Sequence, residues 1–182
     1  ISGFLIGNII LSEIEKKQFL FIKFYLKKLR ILLPSLIFTL FFTILISYIF
    51  LLPEDYELFN NSIPYTLFFI GNIFFWKTND YFSPDTEIMP LSHLWSLSIE
   101  EQFYLVFPIF IFLIFRNKLA RKNLKIIIFI GIFLSFLYTI LGFYNLPIEC
   151  PATNCIEVTN FYWLHTRVWE ILIGVFINFI NL

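Results

Sequence analysis

From Ile31 to Leu52 the chain passes without one charged side chain. A helix needs about 20 apolar residues to cross the hydrocarbon of a bilayer, and this run supplies them. Pro34, Ser35, Thr39, Thr43, Ser47 and Tyr48 interrupt it only with residue types that membrane helices tolerate. Lys125 to Tyr144 is a second such window. Phe161 to Leu182 is a third, although His165, Arg167 and Glu170 stand near its start. Leu94 to Phe115 is apolar in its second half and carries Glu100 and Glu101 in its first. Ile1 to Leu11 reads as the tail of a further span. Tyr65 to Trp76 is too short to cross upright, which points to a re-entrant segment or a short buried helix. The expected fold is all-α, a polytopic transmembrane helix bundle occupying residues 1–182 and truncated at both ends.

Composition agrees. Of 182 residues, 59% are hydrophobic and 14% charged, against roughly 25% charged in soluble domains. Twenty-six Phe residues are more than one core of this size can hide, because a small domain still exposes much of its surface. The 13 basic and 13 acidic residues cancel, so no overall basic field suggests nucleic acid as a partner. No n-region, apolar core and cleavage site occur in order, so no signal peptide is read.

Charge placement sets an expected topology. Glu13 to Arg30 holds Lys16, Lys17, Lys23, Lys27, Lys28 and Arg30, and Arg116 to Lys125 holds Arg116, Lys118, Arg121, Lys122 and Lys125. The positive-inside rule puts both in the cytoplasm. Pro53 to Ile63 and Asn145 to Asn160 carry acids but no Lys or Arg, as outer connections do. All four agree if Tyr65 to Trp76 dips in and returns. Cys150 and Cys155 then lie outside with four residues between them, where a local disulfide is permitted. With no His near them in sequence, no metal site is expected.

Ionisable groups inside lipid cost about 2.5–3.5 kcal/mol each on insertion scales and persist where they are paired or functional. The basic run of Lys27, Lys28 and Arg30, followed by Pro34, is either an anchoring flank or a cationic pocket for a phosphate-bearing ligand. In the stretch Pro90 to Tyr104, Ser98 and Glu101 have the spacing of a helix-capping box, which leaves His93 and Glu100 as candidate acid–base groups. Arg167 and Glu170 stand three apart on one helix face, as an internal ion pair or as substrate-orienting groups. Ser2 and Gly3 would let two membrane helices approach closely.

These four stretches, in this order, resemble a known family. Ile1-Ser2-Gly3-Phe4-Leu5-Ile6 is similar to the "ISGFLI" segment of the acyltransferase 3 family of membrane O-acyltransferases. The run Phe24 to Pro34 resembles its "FYxRRxRRIxP", Pro90 to Pro108 its "PLxHxWSLSxEEQFYLxxP", and Thr166 to Gly174 its "TRxWExLxG". The resemblance implies transfer of an acyl group, usually acetyl from acetyl-CoA or another acyl-CoA, onto a sugar of a cell-envelope polymer such as O-antigen or peptidoglycan. It also implies a multi-pass protein of the inner (plasma) membrane, in contact with membrane lipid, an acyl-CoA donor substrate and an envelope polysaccharide or lipid-linked sugar acceptor. No bound cofactor is expected. The family's central Arg and His belong to a span that would precede Ile1. The family's Arg-x-x-Arg falls on Lys27 and Arg30, and Lys keeps the charge without the planar fork. His165 stands where many members have Pro.

On this resemblance Lys27, Lys28 and Arg30 would hold the anionic donor. His93, Glu100 and Arg167 would be supporting residues on the acceptor side, where a base must activate a hydroxyl and a donor must stabilise an oxyanion; the family's His upstream of Ile1 has the better claim to be that base. Two other classes fit buried charge in a helix bundle: a transporter or flippase of envelope lipids or sugars, and an inert membrane scaffold. Neither requires acyl-CoA binding.

Overall fold

A computed structural model describes residues 1–16, 18–78, 89–145 and 155–179, the side chains of 142–145 and 155–158 excepted. Every regular element among them is helical: α1 (Ser2–Glu15), α2 (Phe21–Phe50), α3 (Pro53–Leu67), α4 (Gly71–Thr78), α5 (Leu94–Arg116), α6 (Lys118–Lys122), α7 (Leu124–Asn145), α8 (Cys155–Tyr162) and α9 (Leu164–Ile177). Three of them, α2, α5 and α7, are long and apolar enough to cross a membrane. The all-α transmembrane expectation holds.

The element boundaries correct several expectations. The basic run is not a connection, since α2 begins at Phe21 and carries Lys23 to Arg30 in its first turns. Pro34 sits inside that helix and withholds one backbone donor there. The acidic connection after Leu52 is helical as well. Pro53 occupies the first helical turn of α3, with Glu54 and Asp55 beside it, where a fixed φ and negative charge both suit a helix N-terminus. The window Phe161 to Leu182 is interrupted at Trp163, whose extended backbone (φ −95, ψ 140) separates α8 from α9. The 14 residues of α9 span only about 21 Å, too little to cross upright. Cys150 lies outside the described residues, as does the side chain of Cys155, and with them the disulfide.

Tyr65 to Trp76 is not one helix. The chain turns at Phe68–Ile70 between α3 and α4 through a Schellman motif: Ile70 N–H donates to Tyr65 O (2.8 Å) and Phe69 N–H to Thr66 O (3.2 Å). Phe69 takes the left-handed position with φ 55, which glycine usually fills. The turn rests on α5. The Gln102 amide donates to Phe69 O (2.9 Å) and to Asn72 Oδ1 (2.8 Å), and Gly71 N–H donates to Ser98 Oγ (3.2 Å). The segment is the end of one helix, a turn and the start of a second.

Two seams hold the remaining helices. Gly3 and Gly7 on α1 meet α9 so closely that a Cβ on Gly3 would lie 1.9 Å from Ile171 O, and one on Gly174 would lie 2.9 Å from Phe4 N. Small residues spaced by four are how membrane helices reach such contact, as Ser2 and Gly3 suggested. The Asn178 amide crosses the same seam to Phe4 O (3.0 Å). Between α7 and α9, the hydroxyls of Ser135 and Thr139 donate to His165 O (2.7 Å) and Thr166 O (2.7 Å). The outward side of α2 is uncovered by the described residues, with Phe38, Phe41, Ile46 and Ile49 all exposed.

The basic stretches share one end of the bundle. Phe21 at the start of α2 packs against Phe112 near the end of α5 (5.2 Å between rings). Glu15, Phe19, Phe112, Arg116 and Arg121 line one cleft of about 270 Å³ there. At the opposite end α8 meets α4 and α5, through Trp76 Nε1 to Thr159 Oγ1 (3.0 Å) and Trp95 against Phe161 (4.3 Å).

Candidate active site

Each expected site residue can now be placed. On α2, Lys23, Lys27 and Arg30 recur at helical spacing and line an open groove of about 900 Å³ whose other walls are apolar, among them Phe21, Leu26 and Phe112. Lys27 and Arg30 are exposed. Lys28 does not line that groove, although it shares a second cavity, of about 380 Å³, with Lys23 and Lys27. It turns inward, where its ammonium lies 2.7 Å from Glu101 Oε1 and 3.1 Å from the centre of the Tyr104 ring. The expected trio is therefore split: two members face the groove, and the third is tied to α5. Lys23, which the sequence reading left out of the trio, completes the groove's cationic row.

Ser98 and Glu101 form no capping box. The chain winds into α5 through a turn at residues 90–93, with Leu94 N–H bonded to Leu91 O (3.0 Å) and Trp95 N–H to Ser92 O (3.2 Å). Ser98 thus falls in the second turn, where its hydroxyl bonds Leu94 O (3.1 Å), and the Glu101 carboxylate goes to Lys28.

Glu100 sits one residue away on a different face of α5. Its Oε2 accepts from the Tyr104 hydroxyl (3.2 Å), a contact between residues four apart and hence on the same helix face. It also lines a small pocket of about 100 Å³ with Trp95, Ser96, Arg167 and Glu170. Arg167 and Glu170 form the expected pair (2.9 Å), with all four of their hydrogen bonds running from Nε and Nη2 of the guanidinium. The guanidinium lies 5.1 Å from the centre of the Trp95 ring and 5.6 Å from that of Phe161. Cation–π contact and the bidentate carboxylate together hold it in place.

Glu100 and Arg167 thus come together, and Glu170 joins them. His93 does not. It is exposed at the head of α5, outside the pocket, about 10 Å along the axis from Glu100. His165 packs against Tyr138 (4.9 Å) and Trp163 (5.6 Å) instead. Glu100 has no ion-pair partner among the described residues, whereas Glu101 and Glu170 each have a cation. It is the carboxylate of the cluster with its charge unspent. Among the described residues no group of His, Cys, Asp and Glu could hold a metal ion.

The arrangement offers a cationic, partly apolar groove at one end and a small pocket with Glu100, Arg167 and Glu170 toward the head of α5. Tyr104, about 18 Å from the basic end of α5 by helical rise, stands between them. The sequence reading missed Tyr104, although its spacing from Glu100 was visible.

Comparison with known proteins identifies the family. The model of an acyltransferase domain, acyltransferase 3, matches residues 1–181. An uncharacterized protein of Haemophilus influenzae is 29% identical over 177 residues, covering 96% of this chain and 69% of that one. The peptidoglycan O-acetyltransferase OatA of Listeria monocytogenes is 32% identical over 183 residues, covering 99% of this chain and 28% of its own length. The O-acetyltransferase OatA of Staphylococcus aureus is 37% identical over 121 residues, covering 65% of this chain and 20% of its own length. This chain thus spans less than a third of either named acetyltransferase. No solved structure matches it. The chain belongs to the acyltransferase 3 family of membrane proteins.

Proposed function

We propose that the protein transfers an acyl group, most simply acetyl, from cytoplasmic acyl-CoA to a hydroxyl of a cell-envelope sugar, and that it does so from the inner (plasma) membrane. The observation that carries this reading is the pocket that Glu100, which has no ion-pair partner among the described residues, lines together with Arg167. Acyl transfer to a hydroxyl needs a base for the proton and a positive donor for the oxyanion, and those are the two groups present. Family membership and the two O-acetyltransferases among the relatives supply the chemistry. Peptidoglycan, the polymer in the name of one relative, is the first acceptor to try.

The roles divide by depth. Lys23, Lys27 and Arg30 at the basic end would neutralise the phosphates of the donor. Glu100 would take the acceptor proton, while Arg167, held by Glu170 on its Nε–Nη2 edge, keeps Nη1 for the developing oxyanion. His93 at the outer end would meet the acceptor rather than the reacting atoms. The test uses full-length protein in sealed vesicles with labelled acetyl-CoA on the side of the Lys23–Arg30 helix end. The reading expects label on sugar at the opposite face. A protein that acylates nothing but moves a lipid-linked sugar would establish the transporter reading instead.

A further inference from the structure

Among the described residues, Tyr104 touches both Lys28 and Glu100. Its ring face carries the Lys28 ammonium at 3.1 Å, and its hydroxyl donates to Glu100 at 3.2 Å. The ring is buried, with 8% of its surface exposed, and Lys28 is in turn anchored by Glu101 on the neighbouring helix. One aromatic plane therefore has a cation from the basic helix on its face and the acid–base carboxylate at its edge.

Both contacts have a physical sense. A cation over an aromatic face is attracted to the ring quadrupole, more strongly where water is excluded. A hydroxyl that donates to a carboxylate makes a charge-assisted bond with a defined direction. Glu100 has three rotatable side-chain torsions and no ion-pair partner among the described residues, so this bond is what points it. Without the bond, the carboxylate is free to leave the orientation in which it lines the pocket with Arg167.

We infer that Tyr104 is a positioning residue for acyl transfer: it aims Glu100 into the Arg167 pocket and is itself held in register by the Lys28–Glu101 pair. The inference rests on the acyl-transfer reading above. In the step it serves, Glu100 receives the proton of the acceptor hydroxyl as the new C–O bond forms. The thioester C–S bond breaks, and the thiolate leaves with its electron pair and takes up a proton. Tyr104 touches no reacting atom in this scheme.

The experiment is a double-mutant cycle in the full-length protein, with Tyr104→Phe, Glu100→Gln and the two combined. Steady-state acetyl transfer is measured at matched amounts of folded protein, judged by thermal unfolding in detergent. Tyr104→Phe keeps the ring under Lys28 and removes only the hydroxyl. It should lower kcat at least tenfold, the scale of losing one hydrogen bond to a charged group, and leave the KM for acyl-CoA within twofold. In the Glu100→Gln background the same change should cost less than twofold, because a residue that acts through Glu100 has nothing left to aim. A Tyr104→Phe enzyme with wild-type kcat overturns the inference and leaves the acyl-transfer reading standing. Fully multiplicative losses also overturn it, since Tyr104 would then act independently of Glu100. A wild-type protein that transfers no acyl group removes the reading and the inference together.

Discussion

The ammonium of Lys28 lies 2.7 Å from a carboxylate oxygen of Glu101, across the interface of α2 and α5. Both side chains are largely shielded, at 21% and 13% exposure. The pair therefore separates two uses of basic residues on one helix: Lys23, Lys27 and Arg30 face the groove, and Lys28 fastens the helix that bears them.

Breaking that pair from one side should be costly. Lys28→Met leaves Glu101 without its cation, and loss of one partner of a buried pair costs about 3–5 kcal/mol. The partial exposure places this case near about 3 kcal/mol. Lys28→Met combined with Glu101→Leu should recover most of that loss, because two apolar groups leave no charge stranded. Denaturant titration of the purified full-length variants measures both values.

Gly3 is the second sensitive point. A methyl group there would meet the backbone oxygen of Ile171, which has no rotamer by which to yield. Gly3→Ala should force α1 and α9 apart and destabilise the protein by about 1–3 kcal/mol, the usual cost of overpacking. Gly131→Ala is the control. Its added carbon would come no nearer than 3.4 Å to Leu172 Cδ1, and replacing a helical Gly by Ala gains about 0.5–1 kcal/mol. Thermal unfolding of the two variants should move in opposite directions.

Donor binding should discriminate between neighbouring basic residues. Arg30→Ala is expected to weaken acyl-CoA binding by about 1.5–3 kcal/mol, the worth of a hydrogen bond to a charged group. Lys23→Ala should also weaken it, and added salt should weaken wild-type binding in the same direction. Equilibrium binding of acyl-CoA to each full-length variant checks the order. Loss of binding in Lys28→Met/Glu101→Leu, with Arg30→Ala unaffected, would assign the donor to the wrong face of α2.

What the sequence made legible follows from the range of the forces involved. The charge-free run from Ile31 and the apolar half of Leu94 to Phe115 declare themselves locally, and α2 and α5 follow. Arg167 and Glu170 are three apart, so their pairing was readable as well. The Lys28–Glu101 contact joins residues 73 apart in sequence, and no spacing rule reaches across two helices. The turn at Phe69 was hidden for another reason: its left-handed residue is not the Gly or Asn that marks such a cap, and tertiary bonds from Gln102 hold it. The break at Trp163 has no Gly or Pro beside it to mark it. Ser98 misled because its spacing to Glu101 fits a cap, while the helix had already begun at Leu94. Two signals were present and unused: Lys23, Lys27 and Arg30 lie on one stripe of α2, and Glu100 and Tyr104 on one face of α5.

The central claim is that Glu100 is the acid–base group facing Arg167. Its most direct test is the rate of acetyl transfer from acetyl-CoA to envelope polysaccharide by full-length Glu100→Gln, at the membrane level of the wild type. Gln keeps the shape and loses the proton acceptor. General-base catalysis contributes roughly 10²–10⁴-fold, so the rate should fall by at least about a hundredfold with the protein still folded. A Glu100→Gln enzyme that transfers acetyl at the wild-type rate would contradict the account.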